Sequence, residues 1–247
     1  MAELGWITGA GSGLGRATAL RLARSGWCLA VSGRDQGRLE ALAAEAPAET
    51  IHPYVVDVTD LASVEATAAA IVADLGPLDL ALFNAGDYEP MTLDGFDAVL
   101  FRRIMEVNYL GVVHGIQAVL GRMAPGGQVV LTASVAGYRG LPRAAPYGAS
   151  KAALINMAEA LEPEFRARGL RLRVVNPGFI RTSLTAKNTF RMPALMEPEA
   201  AADVLVAGLR GRGFEIHFPR RFTWGMKVLR CLPAWLYLGL TGRMLRG

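Results

Sequence analysis

The feature that most constrains the fold of this chain is an alternation along its whole length. Short, almost continuously apolar runs are separated by longer segments in which apolar residues recur at helical spacing. Such runs are typical of strands buried on both faces, as in a parallel sheet with helices on both sides. The pattern predicts an α/β fold, with one doubly wound domain and a central parallel sheet of about seven strands. The runs are LGWIT (4–8), WCLAVS (27–32), IHPYVV (51–56), LDLALFN (78–84), QVVLTAS (128–134), LRVVNP (172–177) and FEIHF (214–218).

The C-terminal part of the chain differs from the rest in charge. The chain has 247 residues, enough for one sizeable core, and a net charge of +4. From residue 219 onward it has no acidic residue and six cations, which are Arg220, Arg221, Lys227, Arg230, Arg243 and Arg246. The preceding 218 residues are therefore slightly acidic, which argues against a nucleic-acid surface. We predict a main domain over residues 1–218 and a basic, apolar extension over residues 219–247.

Three roles remain open for this extension. Its apolar run over residues 231–240 is too short for a membrane-spanning helix, which needs about 20 residues. Aromatic residues among arginines, as at Trp224 and Trp235, are typical of a segment that lies in a membrane interface. Packing on the main domain, or against an oligomer partner, explains the same apolar residues equally well.

Cysteine and histidine usage gives no sign of a disulfide framework or a metal site. Cys28 and Cys231 lie far apart and form no CxxC pair, and His52, His114 and His217 are scattered. The N-terminus, MAELGWITGAG, lacks the basic and apolar regions of a signal peptide. These observations predict a cytoplasmic protein without a metal, which is membrane-peripheral if its extension lies on a membrane.

A glycine loop, TGAGSGLG (8–15), follows the first predicted strand and opens the first predicted helix. Gly9, Gly13 and Gly15 permit a tight turn, close approach of the backbone to a phosphate, and close packing of the helix on the strand. The N-terminus of the helix offers unpaired N–H groups and a positive dipole end to a pyrophosphate. At the start of a βαβ series, this loop predicts dinucleotide binding in a Rossmann-type domain.

The end of the second predicted strand bears on which nicotinamide cofactor is bound. An acid there would accept hydrogen bonds from the adenosine ribose of NAD, whereas an arginine would hold the 2′-phosphate of NADP. The sequence reads VSGRDQGR, so that Gly33 offers no carboxylate and Arg34 follows it. Ser32 and Arg38 are further candidate donors. Asp35 leaves NAD open, although it also fits as the cap of the next helix, and we favour NADP(H).

Tyr147 and Lys151 lie four positions apart in PYGASK and share one face of a predicted helix. Lysine is rare in this arginine-rich chain, with Lys187 and Lys227 as the others. A phenol near pKa 10 is a poor acid–base catalyst at neutral pH, and a neighbouring ammonium lowers that pKa. The pair therefore predicts general acid–base chemistry, and a compact ammonium suits the place better than a planar guanidinium.

With these motifs in place, the chain resembles the short-chain dehydrogenase/reductase family, whose members carry TGxxxGxG and YxxxK motifs. The further matches are DV at 57–58, NAG at 84–86, the asparagine of MEVNYLG, the serine of VVLTAS, and PGFIRT at 177–182 for PGxxxT. The resemblance implies a catalytic tetrad of Asn108, Ser134, Tyr147 and Lys151. The cofactor contacts predicted from these motifs and from the end of the second strand are Thr8, Gly9, Ser12, Gly13, Leu14, Gly15, Gly33, Arg34, Asp57, Val58, Asn84, Ala85, Gly86, Tyr147, Lys151, Pro177, Gly178, Ile180 and Thr182.

The chemistry that the resemblance implies is hydride transfer at a carbon that bears a carbonyl or a hydroxyl group. Tyr147 would exchange the proton, Ser134 would hold the oxygen, and Lys151 would lower the tyrosine pKa and bind the nicotinamide ribose. Asn108 would hold a water that joins Lys151 to a proton relay. The resemblance also suggests a homodimer or homotetramer assembled through the helices that carry Asn108 and Tyr147.

The resemblance also implies that the segment SLTAKNTFRMPALMEP (183–198) covers the substrate. Its apolar residues predict a hydrophobic substrate, which is a ketone, an aldehyde or an alcohol. Core packing explains each of these residues equally well when it is taken singly. They are Leu184, Phe190, Met192, Leu195 and Met196. The leading hypothesis is an NADP(H)-dependent oxidoreductase, and NAD-dependent alcohol oxidation and a non-catalytic nucleotide sensor are the alternatives. Pro163, inside a helical pattern, predicts a kink or an interruption there.

Overall fold

A computed structural model of the chain describes residues 2–243. They form a seven-stranded sheet with helices on both faces. The strands are β1 (Leu4–Thr8), β2 (Cys28–Gly33), β3 (Ile51–Val55), β4 (Leu78–Phe83), β5 (Met123–Thr132), β6 (Arg171–Pro177) and β7 (Glu215–Phe218). The helices are α1 (Gly13–Ala23), α2 (Gln36–Glu45), α3 (Leu61–Leu75), α4 (Ala98–Met105), α5 (Gly111–Val119), α6 (Ala145–Ala167), α7 (Pro198–Leu209), α8 (Arg220–Arg230) and α9 (Ala234–Arg243).

The sheet confirms the predicted doubly wound topology. Its strand order is β3-β2-β1-β4-β5-β6-β7, and every neighbouring pair is parallel. The order reverses between β1 and β4, and the crevice beyond the carboxyl ends of strands at such a reversal is where ligands bind in open α/β sheets. The topology alone therefore directs attention to the ends of β1 and β4.

Successive residues of the strands face two separate hydrophobic cores. In β1, Trp6 belongs to the core under α3, α5 and α6, and its neighbour Ile7 belongs to the core under α1 and α7. Phe83, at the end of β4, packs edge-to-face on Trp6 with ring centroids 5.9 Å apart. A β-carbon on Gly115 would lie 2.4 Å from the Phe83 ring, so the glycine in α5 makes room for it.

Helix α6 passes through Pro163 without an interruption, contrary to one of the two outcomes predicted for this residue. Pro163 lies on the exposed side of the helix. The backbone carbonyl four residues earlier, which loses its hydrogen-bond donor, can therefore be hydrated by solvent. The main cost of a proline inside a helix is reduced in this way.

The predicted extension forms α8 and α9, which pack on the main domain. Tyr237 is buried, its hydroxyl donates to the Gly140 carbonyl at 2.8 Å, and Met226 is buried as well. No helix within residues 2–243 has the length and apolar character needed to cross a bilayer. Arg246, one of the six cations, lies outside the described residues, and the division into residues 1–218 and 219–247 stays a prediction.

Candidate active site

A cavity of about 580 Å³ lies at the carboxyl ends of the strands, where the strand order reverses. Residues that follow β1, β2, β4, β5 and β6 contribute to its wall, together with the first turns of α1 and α6. A cavity of this size matches the volume of ligand pockets in proteins. Its position at the reversal is the one expected for a nucleotide in this fold.

The glycine loop forms one end of the cavity. Gly9 has φ +67°, and a β-carbon there would lie 2.6 Å from Ala85 Cα. Gly15 packs against the same loop, because its β-carbon would lie 2.4 Å from the Gly9 carbonyl oxygen. Ser12 precedes α1, and its side chain does not cap that helix. The N–H groups of the first turn of α1 therefore have no side-chain acceptor from Ser12, which suits an anion-binding helix end.

Charged side chains lie at the predicted adenosine end. Arg34, exposed at the end of β2, lines the cavity with Arg38 and Asp57. The Asp35 carboxylate accepts a hydrogen bond from the Arg38 backbone N–H at 3.0 Å, so it caps α2 as expected. Burial alone would raise the pKa of Asp57, but hydrogen bonds from Thr59 and the charge of Arg34 outweigh it, and this pKa is lowered.

Ser32 does not join this group, and the expectation that it adds a donor is wrong. Its side chain is buried, and its hydroxyl oxygen accepts a hydrogen bond from the Trp6 indole at 2.9 Å. Residues on a strand alternate between the two faces, which directs Ser32 into the Trp6 layer of the sheet. Arg34 and Arg38 remain as the cationic groups near the end of β2.

Tyr147 and Lys151 share one face of α6 and both line the cavity. Lys151 Nζ lies 5.5 Å from the Tyr147 ring centroid and donates to the Thr132 carbonyl oxygen at 2.7 Å. Burial lowers the pKa of Lys151 to about 7. Burial also raises the pKa of Tyr147 to about 12, although a hydrogen bond with Ser134 lowers it in part.

Lys151 was expected to lower the pKa of Tyr147, but it is not among the groups that shift this pKa. The same burial that disfavours the phenolate also disfavours the ammonium that was expected to stabilise it. Tyr88 adds to the effect: its ring packs edge-to-face on Tyr147 with centroids 5.1 Å apart, and charge repulsion between the two phenolates raises the Tyr147 pKa further. Tyr147 is consequently a protonated phenol at neutral pH.

Ser134 and Asn108 occupy different positions relative to the cavity. Ser134 lines the cavity, and its hydroxyl accepts a hydrogen bond from the Ala136 N–H at 3.1 Å. Asn108 lies behind the wall, buried in a π-helical turn between α4 and α5. Its amide donates to Ser150 Oγ and to the Asp87 carbonyl, both at 3.0 Å, and accepts from the Asp87 N–H at 2.7 Å. Asn108 thus ties the loop after β4 to the helix that carries Tyr147.

Most of the predicted site residues are brought together at one cavity. Thr8, Gly15 and Asn108 do not line it; Thr8 Oγ1 instead accepts from the N–H groups of Asn84 (3.1 Å) and Ala85 (3.3 Å), which joins β1 to β4. The predicted residues that do line it are Gly9, Ser12, Gly13, Leu14, Gly33, Arg34, Asp57, Val58, Asn84, Ala85, Gly86, Ser134, Tyr147, Lys151, Pro177, Gly178, Ile180 and Thr182.

The far end of the cavity from Arg34, which we call the substrate end, is lined by apolar side chains and also by Arg143 and Arg191. Of the five apolar residues predicted in the covering segment, only Leu184 and Phe190 line the cavity. Met192, Leu195 and Met196 do not, and Met196 packs on the core instead. Sequence reasoning missed Phe179 and Leu141. Phe179 is part of the PGFIRT motif, so the motif could have identified it as a lining residue. Nothing in the sequence marks Leu141.

The covering segment is fastened across the substrate end. Tyr88 Oη donates to Asn188 Oδ1 at 2.7 Å. Lys187 Nζ donates to the Tyr88 carbonyl and to a Glu89 carboxylate oxygen, both at 2.7 Å. Tyr88 therefore contacts Tyr147 with its ring and the covering segment with its hydroxyl, which makes it part of the site.

Residues 2–243 contain no group of three or more His, Cys, Asp or Glu side chains arranged to hold a metal ion. Two of the histidines are bound to other protein groups. His114 Nδ1 lies 2.9 Å from the Val58 carbonyl oxygen, and His217 Nδ1 lies 2.6 Å from Thr223 Oγ1. These contacts give both imidazoles structural partners.

A doubly wound sheet, a glycine loop at its reversal point and a Tyr–Lys pair beside that loop together define a nicotinamide-dependent oxidoreductase. Comparison with known proteins specifies the family. The family model for short chain dehydrogenases matches residues 5–192, and the chain therefore belongs to the short-chain dehydrogenase/reductase family.

Three similar proteins illustrate the match. An uncharacterized oxidoreductase of Myxococcus xanthus is 36% identical over 245 residues, which cover 96% of this chain and 97% of the relative. A short-chain dehydrogenase/reductase of Burkholderia phymatum, solved in complex with NAD, has a TM-score of 0.83 and 25% identity, with 92% of each chain covered. An alcohol dehydrogenase of Thermococcus sibiricus, solved with 5-hydroxy-NADP, has a TM-score of 0.81 and 26% identity and covers 88% of this chain and 96% of its own.

Proposed function

We propose that the protein is an NADP(H)-dependent oxidoreductase that interconverts a hydrophobic ketone or aldehyde and the corresponding alcohol. The observation that carries this proposal is that the Tyr147 phenol and the Ser134 hydroxyl lie in the wall of one cavity, which the glycine loop also lines. A proton donor and an oxyanion-binding hydroxyl at one point are what carbonyl reduction requires of a protein.

The residues around the cavity fit a nicotinamide dinucleotide. The glycine loop and the first turn of α1 would hold the pyrophosphate, Asp57 and Val58 the adenine, and Asn84 to Gly86 and Pro177 to Thr182 the nicotinamide half. When bound there, the cofactor supplies or takes up a hydride at the reacting carbon.

The chain's own residues would manage the proton. Tyr147 would donate its proton to the substrate oxygen, and Ser134 would donate a hydrogen bond to the charge that develops on that oxygen. Because burial raises the pKa of Tyr147 to about 12, the phenol is protonated at neutral pH and favours the reductive direction. Lys151 would bind the nicotinamide ribose, and Asn108 would position α6 through Ser150 and hold the water of the relay.

The preference for NADP(H) rests on Arg34. Its guanidinium lies at the end of β2, Gly33 beside it has no side chain, and the Asp35 carboxylate is used as a helix cap. The alcohol dehydrogenase with 5-hydroxy-NADP supports this choice, and the relative with NAD keeps NAD as the alternative. Arg34→Asp should weaken NADPH binding by about tenfold or more, because charge-assisted hydrogen bonds contribute about 1.5–3 kcal/mol each. NADH binding should change little. The control is Arg168→Asp, just beyond the end of α6, which should leave the binding of both nucleotides unchanged. Equal losses of NADPH and NADH binding in Arg34→Asp would contradict the preference.

We propose a homodimer or homotetramer formed through the helices that carry Asn108 and Tyr147, and the exposed side chains of Val99 and Leu110 on α4 and the following turn support it. We also propose a cytoplasmic location, which the free thiols of Cys28 and Cys231 support.

The experiment that tests the function is oxidation of NADPH and NADH, followed by nicotinamide absorbance, against a panel of apolar ketones and aldehydes. Turnover with NADPH that falls by at least a hundredfold in Tyr147→Phe is the expected result, since general acid catalysis contributes about 10²–10⁴-fold. Turnover that survives in Tyr147→Phe would refute the role of the phenol. Clear NADPH binding without any turnover would favour a nucleotide sensor over an enzyme.

A further inference from the structure

The outer faces of α8 and α9 carry large apolar side chains. On α8 the exposed positions include Trp224 and Val228, with 58% and 64% of each side chain accessible. On α9 they include Trp235 and Leu238, with 76% and 64% accessible. A surface helix normally turns polar residues to solvent and buries its apolar stripe. On each helix the two residues lie three or four positions apart and share one face, and neighbouring exposed apolar residues of this size mark interaction sites.

The inner faces of the two helices are firmly attached, so the exposure is not a sign of loose packing. The Arg139 guanidinium donates to the Leu232 carbonyl at 2.6 Å, just beyond the end of α8, and to the Arg230 carbonyl at 3.1 Å. The same guanidinium lies 4.0 Å from the centroid of the buried Tyr237 ring. Helices α8 and α9 thus hold their apolar outer residues in fixed positions.

These apolar residues lie among cations that lack acidic partners. Lys227 is paired with Glu215. Within residues 2–243, the arginines of the tail make no salt bridge with a carboxylate. We use the name tail surface for the exposed side chains Arg220, Arg221, Trp224, Val228, Arg230, Trp235, Leu238 and Arg243.

The charge of the tail surface decides between two kinds of occupant. A two-fold contact with a second copy of the chain would place the same patch against itself, and its cations would face cations. An anionic phospholipid surface offers the opposite charge, together with an apolar layer just beneath its headgroups. Indole rings at the headgroup level and guanidinium groups on phosphates complement such a surface.

We propose that the tail surface docks on membranes that contain anionic phospholipids. Helix α8 would then lie between the membrane and the substrate end of the cavity. On its inner side, the Phe222 ring packs on Phe179, with centroids 5.7 Å apart, and Phe179 lines the cavity. Delivery of a lipid-dissolved substrate through this wall rests on the function proposed above, whereas docking itself does not.

The test is co-sedimentation of the full-length protein with vesicles, without nucleotide or substrate. The protein should sediment with vesicles of equal parts phosphatidylglycerol and phosphatidylcholine, and much less with phosphatidylcholine alone. Raising the salt to 1 M should release it, because salt screens exposed charges. Arg221→Ser/Arg230→Ser should weaken binding by about tenfold or more, since each arginine near an anionic surface contributes about fivefold. Trp224→Ser/Trp235→Ser should weaken it at least as much.

Matched variants elsewhere control for charge and for apolar area. Arg168→Ser/Arg171→Ser removes two exposed cations near the start of β6, and Leu93→Ser/Phe96→Ser removes two exposed apolar side chains from another loop. Both controls should sediment like the wild type.

Three outcomes would overturn the proposal. They are absence of sedimentation with the anionic vesicles, equal losses in tail and control variants, and a tryptophan variant whose molar mass in solution differs from that of the wild type. The last would make the tail surface a contact between copies. Circular dichroism would confirm that each variant is folded, and turnover of a water-soluble ketone, measured separately, would report on the proposed function alone.

Discussion

Replacing Lys151 with methionine would make the stability of the protein less dependent on pH. The Lys151 side chain is 4% exposed, and burial lowers its pKa from 10.5 to about 7. In the unfolded chain the same amine returns to its ordinary pKa of 10.5. Between these two values the unfolded state binds more protons than the folded state, so the free energy of unfolding rises with pH across this window.

The magnitude follows from the two pKa values. At pH 7 the folded amine is about half protonated and the unfolded amine is fully protonated; at pH 9 the folded amine is neutral, while the unfolded amine is still largely protonated. Integrated over this interval, proton linkage raises the free energy of unfolding by about 2 kcal/mol. More than about one pH unit below the folded pKa, the amine is charged in both states, and its contribution becomes constant.

Urea unfolding at pH 7 and pH 9, without added nucleotide, would measure this contribution in wild type and Lys151→Met. The wild type should gain about 2 kcal/mol more than the variant between the two pH values, because only the wild type carries the buried amine. Lys187→Met, which removes an exposed ammonium paired with Glu89, should keep the wild-type behaviour. Equal gains in wild type and Lys151→Met would show that the folded protein keeps Lys151 charged, and would refute the reasoning from burial.

Two further substitutions test the glycine loop and the attachment of the tail. Gly15→Ala places a β-carbon 2.4 Å from the Gly9 carbonyl oxygen and should destabilise the protein by about 1–3 kcal/mol and weaken NADPH binding. Gly225→Ala, with no atom near its β-carbon, is the control in both urea unfolding and nucleotide titration. If Gly15→Ala gave the same stability and NADPH affinity as Gly225→Ala, the close packing of Gly15 on the glycine loop would not matter. Arg139→Ala should cost about 2–3 kcal/mol in urea unfolding, because it removes charged hydrogen bonds from the end of α8. A loss below 0.5 kcal/mol, about that of an ordinary surface change, would contradict this attachment.

Much of the fold was predictable because strands buried on both faces leave a simple trace in the sequence. Six of the seven apolar runs match the strand bounds to within about two residues. The exception is β5, which begins at Met123, five residues before the predicted run. Its first half contains Pro125, Gly126 and Gly127, which are poor strand formers, and it pairs with Leu78 only through a register shift. Tertiary pairing therefore overrides local preference there.

The residues of the site were largely predictable from motifs, but their electrostatics were not. The Tyr–Lys spacing indicates a shared helix face, which the structure confirms, yet it carries no information about burial. Desolvation of Lys151 arises from groups distant in sequence, such as Thr132 and the residues around Gly86. Likewise, the contact of Tyr88 with Asn188 joins positions 100 residues apart, and no local pattern marks it.

The three lysines show why this arginine-rich chain retains lysine at particular positions. Lys151 Nζ meets a single backbone carbonyl inside the core, and Lys227 Nζ meets the Glu215 carboxylate close to the Trp224 ring. Lys187 Nζ bridges a carbonyl and a carboxylate of adjacent residues. In each place the acceptor is one group or two groups of adjacent residues, so a rotatable ammonium reaches it with little bulk.

Arginine is used where acceptors are spread over a wider arc. The buried Arg173 guanidinium donates to the Gly213 carbonyl at 2.7 Å and to the Leu209 carbonyl at 3.1 Å, and Arg139 spans several carbonyls at the end of α8. A guanidinium at position 151 would bring five N–H donors to a buried place where one carbonyl accepts a hydrogen bond from the side chain, and donors left unpaired there would each cost about 1–3 kcal/mol. The single carbonyl acceptor beside position 151 therefore favours lysine over arginine on structural grounds, apart from the proton chemistry that we propose for this position.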